Sequence, residues 1–253
     1  MTNNLIVSPT ALLFAVLLVV IALAINFKEH IGLEKDLITG VIRAVIQLTV
    51  VGYVLTYIIK VDRVWLTLLM VAIIIFNAAW NARGRANGIP HAFEISLLAV
   101  FTATGATLVL LVLAKAIRFT PSQVVPISGM IASNTMVATG LCYRSLNTSF
   151  HDQRQAVLER LALGADLKQT SITLVRTAIH SGMAPTIDSA KTVGLVSLPG
   201  MMSGLIFAGV DPTKAIMYQI MVTFMLLAAT SVGSVIACYL AYPQFYNSDM
   251  QLR

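Results

Sequence analysis

PTALLFAVLLVVIALAINF, residues Pro9–Phe27, runs for 19 residues without a charge. A helix rises about 1.5 Å per residue, so about 20 mostly apolar residues cross a hydrocarbon layer about 30 Å thick. A helix on the surface of a soluble protein would show a polar face instead. The stretch therefore reads as a lipid-crossing helix. Upstream, Met1–Thr10 holds no Lys or Arg. It lacks the basic segment of a cleavable signal, so the helix is expected to persist in the mature chain.

The same pattern recurs along the chain. Further spans are expected over Leu37–Ile59 (with Arg43 and Gln47 inside it), Val64–Ala82, Phe93–Ala114, Pro121–Tyr143, Ala184–Ala208 and Ala215–Tyr242. The sixth is the least regular, because Pro199-Gly200 breaks or kinks a helix. Of 253 residues, 57% are hydrophobic and only 11% charged, where a soluble domain carries about 25%. That leaves too few charges to wet a surface. The expected fold is an all-α integral membrane protein with about seven transmembrane helices, residues 1–253 forming a single membrane-spanning domain without internal repeats.

The net charge of +6 is spread between the apolar runs rather than gathered on one face. That distribution points to membrane lipid as partner and away from nucleic acid. Lys and Arg are richer in cytoplasmic loops. One alternating set of connections holds ten basic residues, from Lys28 and Lys35 through Arg144, Arg160 and Arg176 to Arg253; the other holds five, Lys60, Arg63, Lys115, Arg118 and Lys214. The richer set is expected inside, which places the N-terminus outside and the C-terminus in the cytoplasm. Cys142 and Cys238 lie far apart in the sequence and form no zinc or redox motif.

A polar interruption, Arg144–Met183, is expected on the cytoplasmic side. Val157, Leu158 and Leu161 recur at helical spacing. Gly164 supplies a helix stop, and Asp166 is a candidate N-cap for a second helix carrying Leu167, Ile172 and Leu174. Helix, glycine turn and helix would lie at the membrane face. From periodicity alone the pair has a plain role, packing on the bundle or on lipid headgroups.

Glu159, followed by Leu163-Gly164-Ala165, Asp166 and a polar helix, resembles the EAA-type loop of ABC permeases. In that family the loop is a short coupling helix that docks in a groove of the ATPase subunit. A wider match runs from about Lys28 to Tyr246. It is carried by Asp188-Ser189-Ala190-Lys191-Thr192-Val193-Gly194-Leu195-Val196-Ser197-Leu198-Pro199-Gly200-Met201-Met202-Ser203-Gly204-Leu205-Ile206-Phe207-Ala208-Gly209, by Phe76-Asn77-Ala78-Ala79-Trp80-Asn81 and by Tyr218-Gln219-Ile220-Met221-Val222-Thr223-Phe224-Met225. These stretches resemble the Fet-type iron-export permeases of bacteria, a family that includes plant aluminium-tolerance permeases. The resemblance implies a transporter subunit in a bacterial inner membrane, paired with a separate cytoplasmic ABC ATPase and exporting iron. The chain has no Gly-x-x-x-x-Gly-Lys-Ser/Thr phosphate loop. ATP would then be bound and hydrolysed by the partner, with no catalytic residue and no cofactor on this chain, and two permease copies would complete the pathway.

Polar groups within spans face the bundle or a water path. The candidates are Arg43, Gln47, Asn77, Asn81, Asn134, Asp188, Lys191 and Gln219. Asp188 and Lys191, three apart near the cytoplasmic end of the expected sixth span, pair structurally or present a carboxylate to a cation. Met201 and Met202 follow the Pro199-Gly200 break, and Met217, Met221 and Met225 share one helix face. Thioethers suit soft metals, and they also fill apolar gaps. The candidate cargo path is Ser197, Met201, Met202, Gln219, Asp188 and Lys191. Two other readings stay open: a permease for another metal or an organic solute, and a seven-helix receptor without an ATPase. An intramembrane enzyme has no His-Glu-x-x-His or Gly-x-Ser-x-Gly signature to support it.

Overall fold

The computed structural model describes residues 9–247 and 251–252. Among them the chain is helical, without an extended sheet: α1 Pro9–Lys28, α2 Glu34–Val61, α3 Val64–Arg83, α4 Ala92–Leu113, α5 Pro121–Asp152, α6 Arg154–Ala162, α7 Leu167–Thr192, α8 Gly200–Phe207 and α9 Pro212–Ala241, then a 3-10 turn, Tyr242–Phe245. Six of these helical segments are long and apolar enough to cross a membrane, namely α1 to α5 and α9 with the turn after it. The ends expected outside and inside, Met1–Ser8 and Arg253, lie beyond the described residues.

The chain divides into two compact units, residues 1–61 and 62–253. In the first, α1 runs into a short reversal where His30 and Gly32 take positive φ, 51° and 78°. Glu34 and Asp36 open α2, where negative charge favours the helix dipole. Asp36, Thr39, Gly40, Arg43 and Gln47 border one shallow depression along α2.

In the second unit α5 is the central post, touched by α3, α4, α7 and α9. Lipid tails are as apolar as leucine, so membrane helices are held by close packing of small residues. Two glycines show this. A Cβ on Gly182 would stand 2.4 Å from Cys142 Sγ and 2.9 Å from the Ala138 carbonyl, and one on Gly233 would stand 2.3 Å from Thr135 Cγ2. Neither position has room for a side chain, which is why α7 and α9 lie so near α5. Cys142 and Cys238 are both buried within one apolar cluster of this unit. Buried polar side chains are satisfied locally where they can be. The Tyr143 hydroxyl meets Ser96 Oγ at 2.8 Å, and Ser96 donates to the Ala92 carbonyl at 2.6 Å.

The expected sixth span, Ala184–Ala208, is not one helix. α7 starts at Leu167, inside the interruption, and stops at Thr192; α8 begins only at Gly200. Thr170, Ser171, Leu174, Val175, Ala178 and Gly182 are buried at helical spacing, so contacts with α5 and α9 carry α7 through a sequence too polar to read as a span. Between the helices, Gly194 takes φ 85° and donates its N–H to the Ser197 carbonyl at 2.9 Å. Pro199 then precedes α8 in extended backbone. The interruption Arg144–Met183 is likewise spread over the end of α5, the whole of α6 and the first part of α7.

Candidate functional site

Four helices of the second unit, α5, α7, α8 and α9, wall a cavity of about 290 Å³. Met130, Asn134 and Ala138 come from α5, Gly182, Pro185, Thr186 and Ser189 from α7, Gly200 and Met201 from α8, and Gln219, Val222, Thr223 and Leu226 from α9. Two prolines loosen its walls: Pro185 interrupts the hydrogen bonding of α7, and Pro199 ends the turn before α8. Asn134 Nδ2 donates to the Met130 carbonyl at 2.8 Å, and Thr223 Oγ1 donates to the Gln219 carbonyl at 2.9 Å. Gln219 Oε1 is buried and has no hydrogen-bond partner among the described residues.

Of the expected path residues, Met201 and Gln219 line this cavity. Met202, half-buried on α8, and Ser197, exposed in the turn, are not part of its wall. Asp188 and Lys191 pair at 3.4 Å, but both are about 70% exposed and outside the lining. Their expected place near the start of the sixth span is also revised. They sit at the C-terminal end of α7, some 22 residues or about 33 Å of helix from Asp166. Asn134, a span polar outside the expected path, joins Met201 and Gln219 in the wall, as do Thr186, Ser189 and Thr223, which nothing in the sequence singles out. Their only sequence signal was a hydroxyl or amide within an apolar run, and many such residues bond back to their own helix, as Asn77 does to the Ile73 carbonyl.

At the other end of α7 stand the residues matched to the coupling loop. Gly164 takes φ 86°, a left-handed conformation that glycine adopts without strain. Asp166 caps α7 by accepting the Gln169 N–H. α6 is anchored by the buried Val157 and by Arg160, which donates to the Thr170 carbonyl at 3.3 Å. Ala165 donates its N–H to the Arg160 carbonyl at 3.0 Å. Glu159 accepts from Gln155 at 3.1 Å on the exposed side, and Leu163 is 87% exposed. Nearby, the Tyr246 hydroxyl meets Ser171 Oγ at 2.6 Å. Burial pushes that phenol above its ordinary value, with the Ser171 hydrogen bond pulling the other way. The arrangement is a firmly braced platform with an apolar knob, Leu163, standing free.

Comparison with known proteins adds the following. The model of the uncharacterised protein family UPF0014 matches residues 9–246. The chain is 56% identical over 246 residues to the "Probable iron export permease protein FetB" of Escherichia coli (strain K12), covering 97% of this chain and 95% of that one. It is 36% identical to the "UPF0014 membrane protein STAR2" of Oryza sativa subsp. japonica, over 94% of this chain and 84% of that one. It is 36% identical to the "Protein ALUMINUM SENSITIVE 3" of Arabidopsis thaliana, over 98% and 89%. No solved structure matches.

Proposed function

The chain belongs to the UPF0014 family of membrane proteins, and from that membership we propose that it is the membrane-spanning subunit of an ATP-driven exporter whose cargo is iron. The observation that carries the reading is the 56% identity with the E. coli "Probable iron export permease protein FetB" over nearly the whole of both chains.

In this reading there are seven crossings, with α9 last, and α7 is the sixth in chain order. Its 26 residues rise about 39 Å, more than a bilayer core requires. The N-terminus is outside and the C-terminus cytoplasmic, in a bacterial inner membrane. α6, Gly164 and Asp166 then face the cytoplasm, where Leu163 and Glu159 offer a docking surface to a soluble ABC ATPase. ATP is bound and hydrolysed on that partner, and this chain carries no catalytic residue. Its contribution is mechanical. A push on the α6 platform moves a helix braced at its foot by Arg160 and Asp166, and the far end of that same helix forms a wall of the cavity. Pro185 is the flexible point between them. Two copies of the chain line the pathway.

The test uses inverted membrane vesicles holding the chain and the soluble phosphate-loop protein that co-purifies with it. Iron accumulates in them when ATP is added and not when a non-hydrolysable analogue replaces it. Vesicles that accumulate no iron, or a chain that purifies with no ATPase, would sink the proposal and leave the receptor reading in its place.

A further inference from the structure

The cavity wall carries no formal charge. None of its described lining residues is Asp, Glu, His, Cys, Lys or Arg. A divalent ion stripped of water there would lose its hydration and gain no anionic ligand in exchange, an uncompensated burial of charge. The thioethers of Met130 and Met201 are soft and neutral, and a hard or borderline ion draws little from them.

Two polar side chains of the wall spend a donor on their own helix. Asn134 spends an Nδ2 hydrogen on the Met130 carbonyl, and Thr223 spends its hydroxyl hydrogen on the Gln219 carbonyl. The wall keeps acceptors, namely the buried, unpartnered Gln219 Oε1, Asn134 Oδ1 and the lone pairs of Thr223 Oγ1, beside the donors of the Gln219 amide and of the Thr186 and Ser189 hydroxyls. The acceptors, with no cationic side chain among the described lining residues, suit a guest that presents donors. Six waters occupy about 180 Å³ at their share of liquid volume, which leaves room to spare in a cavity of about 290 Å³. A metal ion wearing its first hydration shell is such a guest. Each water commits a lone pair to the metal, and the outer surface is chiefly O–H donors, sharpened by the ion's charge.

We propose that the cavity recognises the cargo cation as its intact hexahydrate, through hydrogen bonds from metal-bound water to Gln219 Oε1, Asn134 Oδ1 and Thr223 Oγ1, with no protein atom coordinated to the metal. The inference rests on the reading of the chain as a cation exporter, and it names the species that moves. Outer-sphere recognition suits transport, because release breaks hydrogen bonds and no coordination bond.

Hexaamminecobalt(III) is the probe. Its six ammonias do not exchange, present only N–H donors at nearly the size of a hexahydrate, and prevent any protein atom from reaching the metal. The purified full chain in nanodiscs is titrated calorimetrically with Fe(II) under anaerobic conditions, with and without the cobalt complex. The complex is expected to bind and to displace Fe(II) competitively. Gln219→Leu weakens both ions by about 10- to 100-fold, the range for a hydrogen bond to a charged group. Gln219→Glu keeps the acceptor oxygen, replaces the amide nitrogen by a second oxygen with a negative charge and tightens both, which preserves the comparison if the leucine variant fails to fold. Fe(II) binding that an excess of the cobalt complex leaves untouched means direct coordination; it overturns this proposal and spares the exporter reading. Affinities that no folded Gln219 variant changes overturn it as well. If neither ion binds a monodisperse wild-type chain, the cavity is no cation site and the proposal falls together with that reading.

Discussion

Gly182→Ala is the smallest change that tests how the bundle is held. The added methyl carbon would stand 2.4 Å from Cys142 Sγ, 2.9 Å from the Ala138 carbonyl oxygen and 3.1 Å from Ser234 Oγ. Those atoms belong to α5 and α9, and one is backbone, so rotating a side chain does not relieve the clash. α7 must shift away from its neighbours. Overpacking of a filled core costs typically about 1–3 kcal/mol. At about 2–4 °C per kcal/mol for a chain of this size, a cost near 2 kcal/mol lowers the unfolding temperature by about 4–8 °C. The control is Gly129→Ala, also within a helix but with nothing within 4 Å of its added carbon. It should be neutral or gain up to about 1 kcal/mol, since alanine outranks glycine in helices. Adding Cys142→Ala to Gly182→Ala removes the nearest clash and should recover part of the loss, the carbonyl contact remaining. The assay is thermal unfolding of the purified chain in detergent, followed by tryptophan fluorescence and by retention of monodispersity. A Gly182→Ala chain that melts with the wild type would refute the close approach of α5, α7 and α9, and with it the shape of the cavity whose wall Gly182 forms.

Two further outcomes are expected. Gly164 needs φ 86°, and proline is locked near −65°; Gly164→Pro should therefore leave membrane insertion intact but abolish ATP-driven iron accumulation while the partner still hydrolyses ATP, and full accumulation by that variant would remove the turn from coupling. With Cys142 and Cys238 buried, a membrane-impermeant maleimide applied to intact cells should label Leu195→Cys, at a site 90% exposed, and leave Lys168→Cys unlabelled; the reverse pattern would invert the proposed orientation.

How much of this was legible in the sequence depends on how local each cause is. The span over Pro9–Phe27 and the helix over Pro9–Lys28 differ by one residue, because an uncharged run suffices to define it. Val64–Ala82 and Phe93–Ala114 agree with α3 and α4 nearly as well. The turn at Gly164 and the cap at Asp166 were readable for the same reason: a left-handed glycine and a side-chain acceptor act within three residues of themselves. α5 outran its expected end at Tyr143 by nine residues, to Asp152. Hydropathy ends a span where charge begins, but a helix leaving the membrane continues while its buried face, here Leu146 and Phe150, still has something to pack on. The same cause hid α7, whose buried face is written in Thr, Ser, Ala and Gly and is therefore silent on a hydropathy scale.

By itself the sequence determined that this chain lives in a membrane, where most of its helices run and where the braced turn lies, since each depends on the transfer of short segments from water to lipid or on backbone preferences within one turn. Which polar residues meet was decided only by the tertiary structure. Asn134, Gln219 and Thr223 share a cavity, and Asp188 and Lys191 stay outside it, because small residues let α5, α7 and α9 approach within contact of one another's backbones and thereby set which helix faces turn toward the same space.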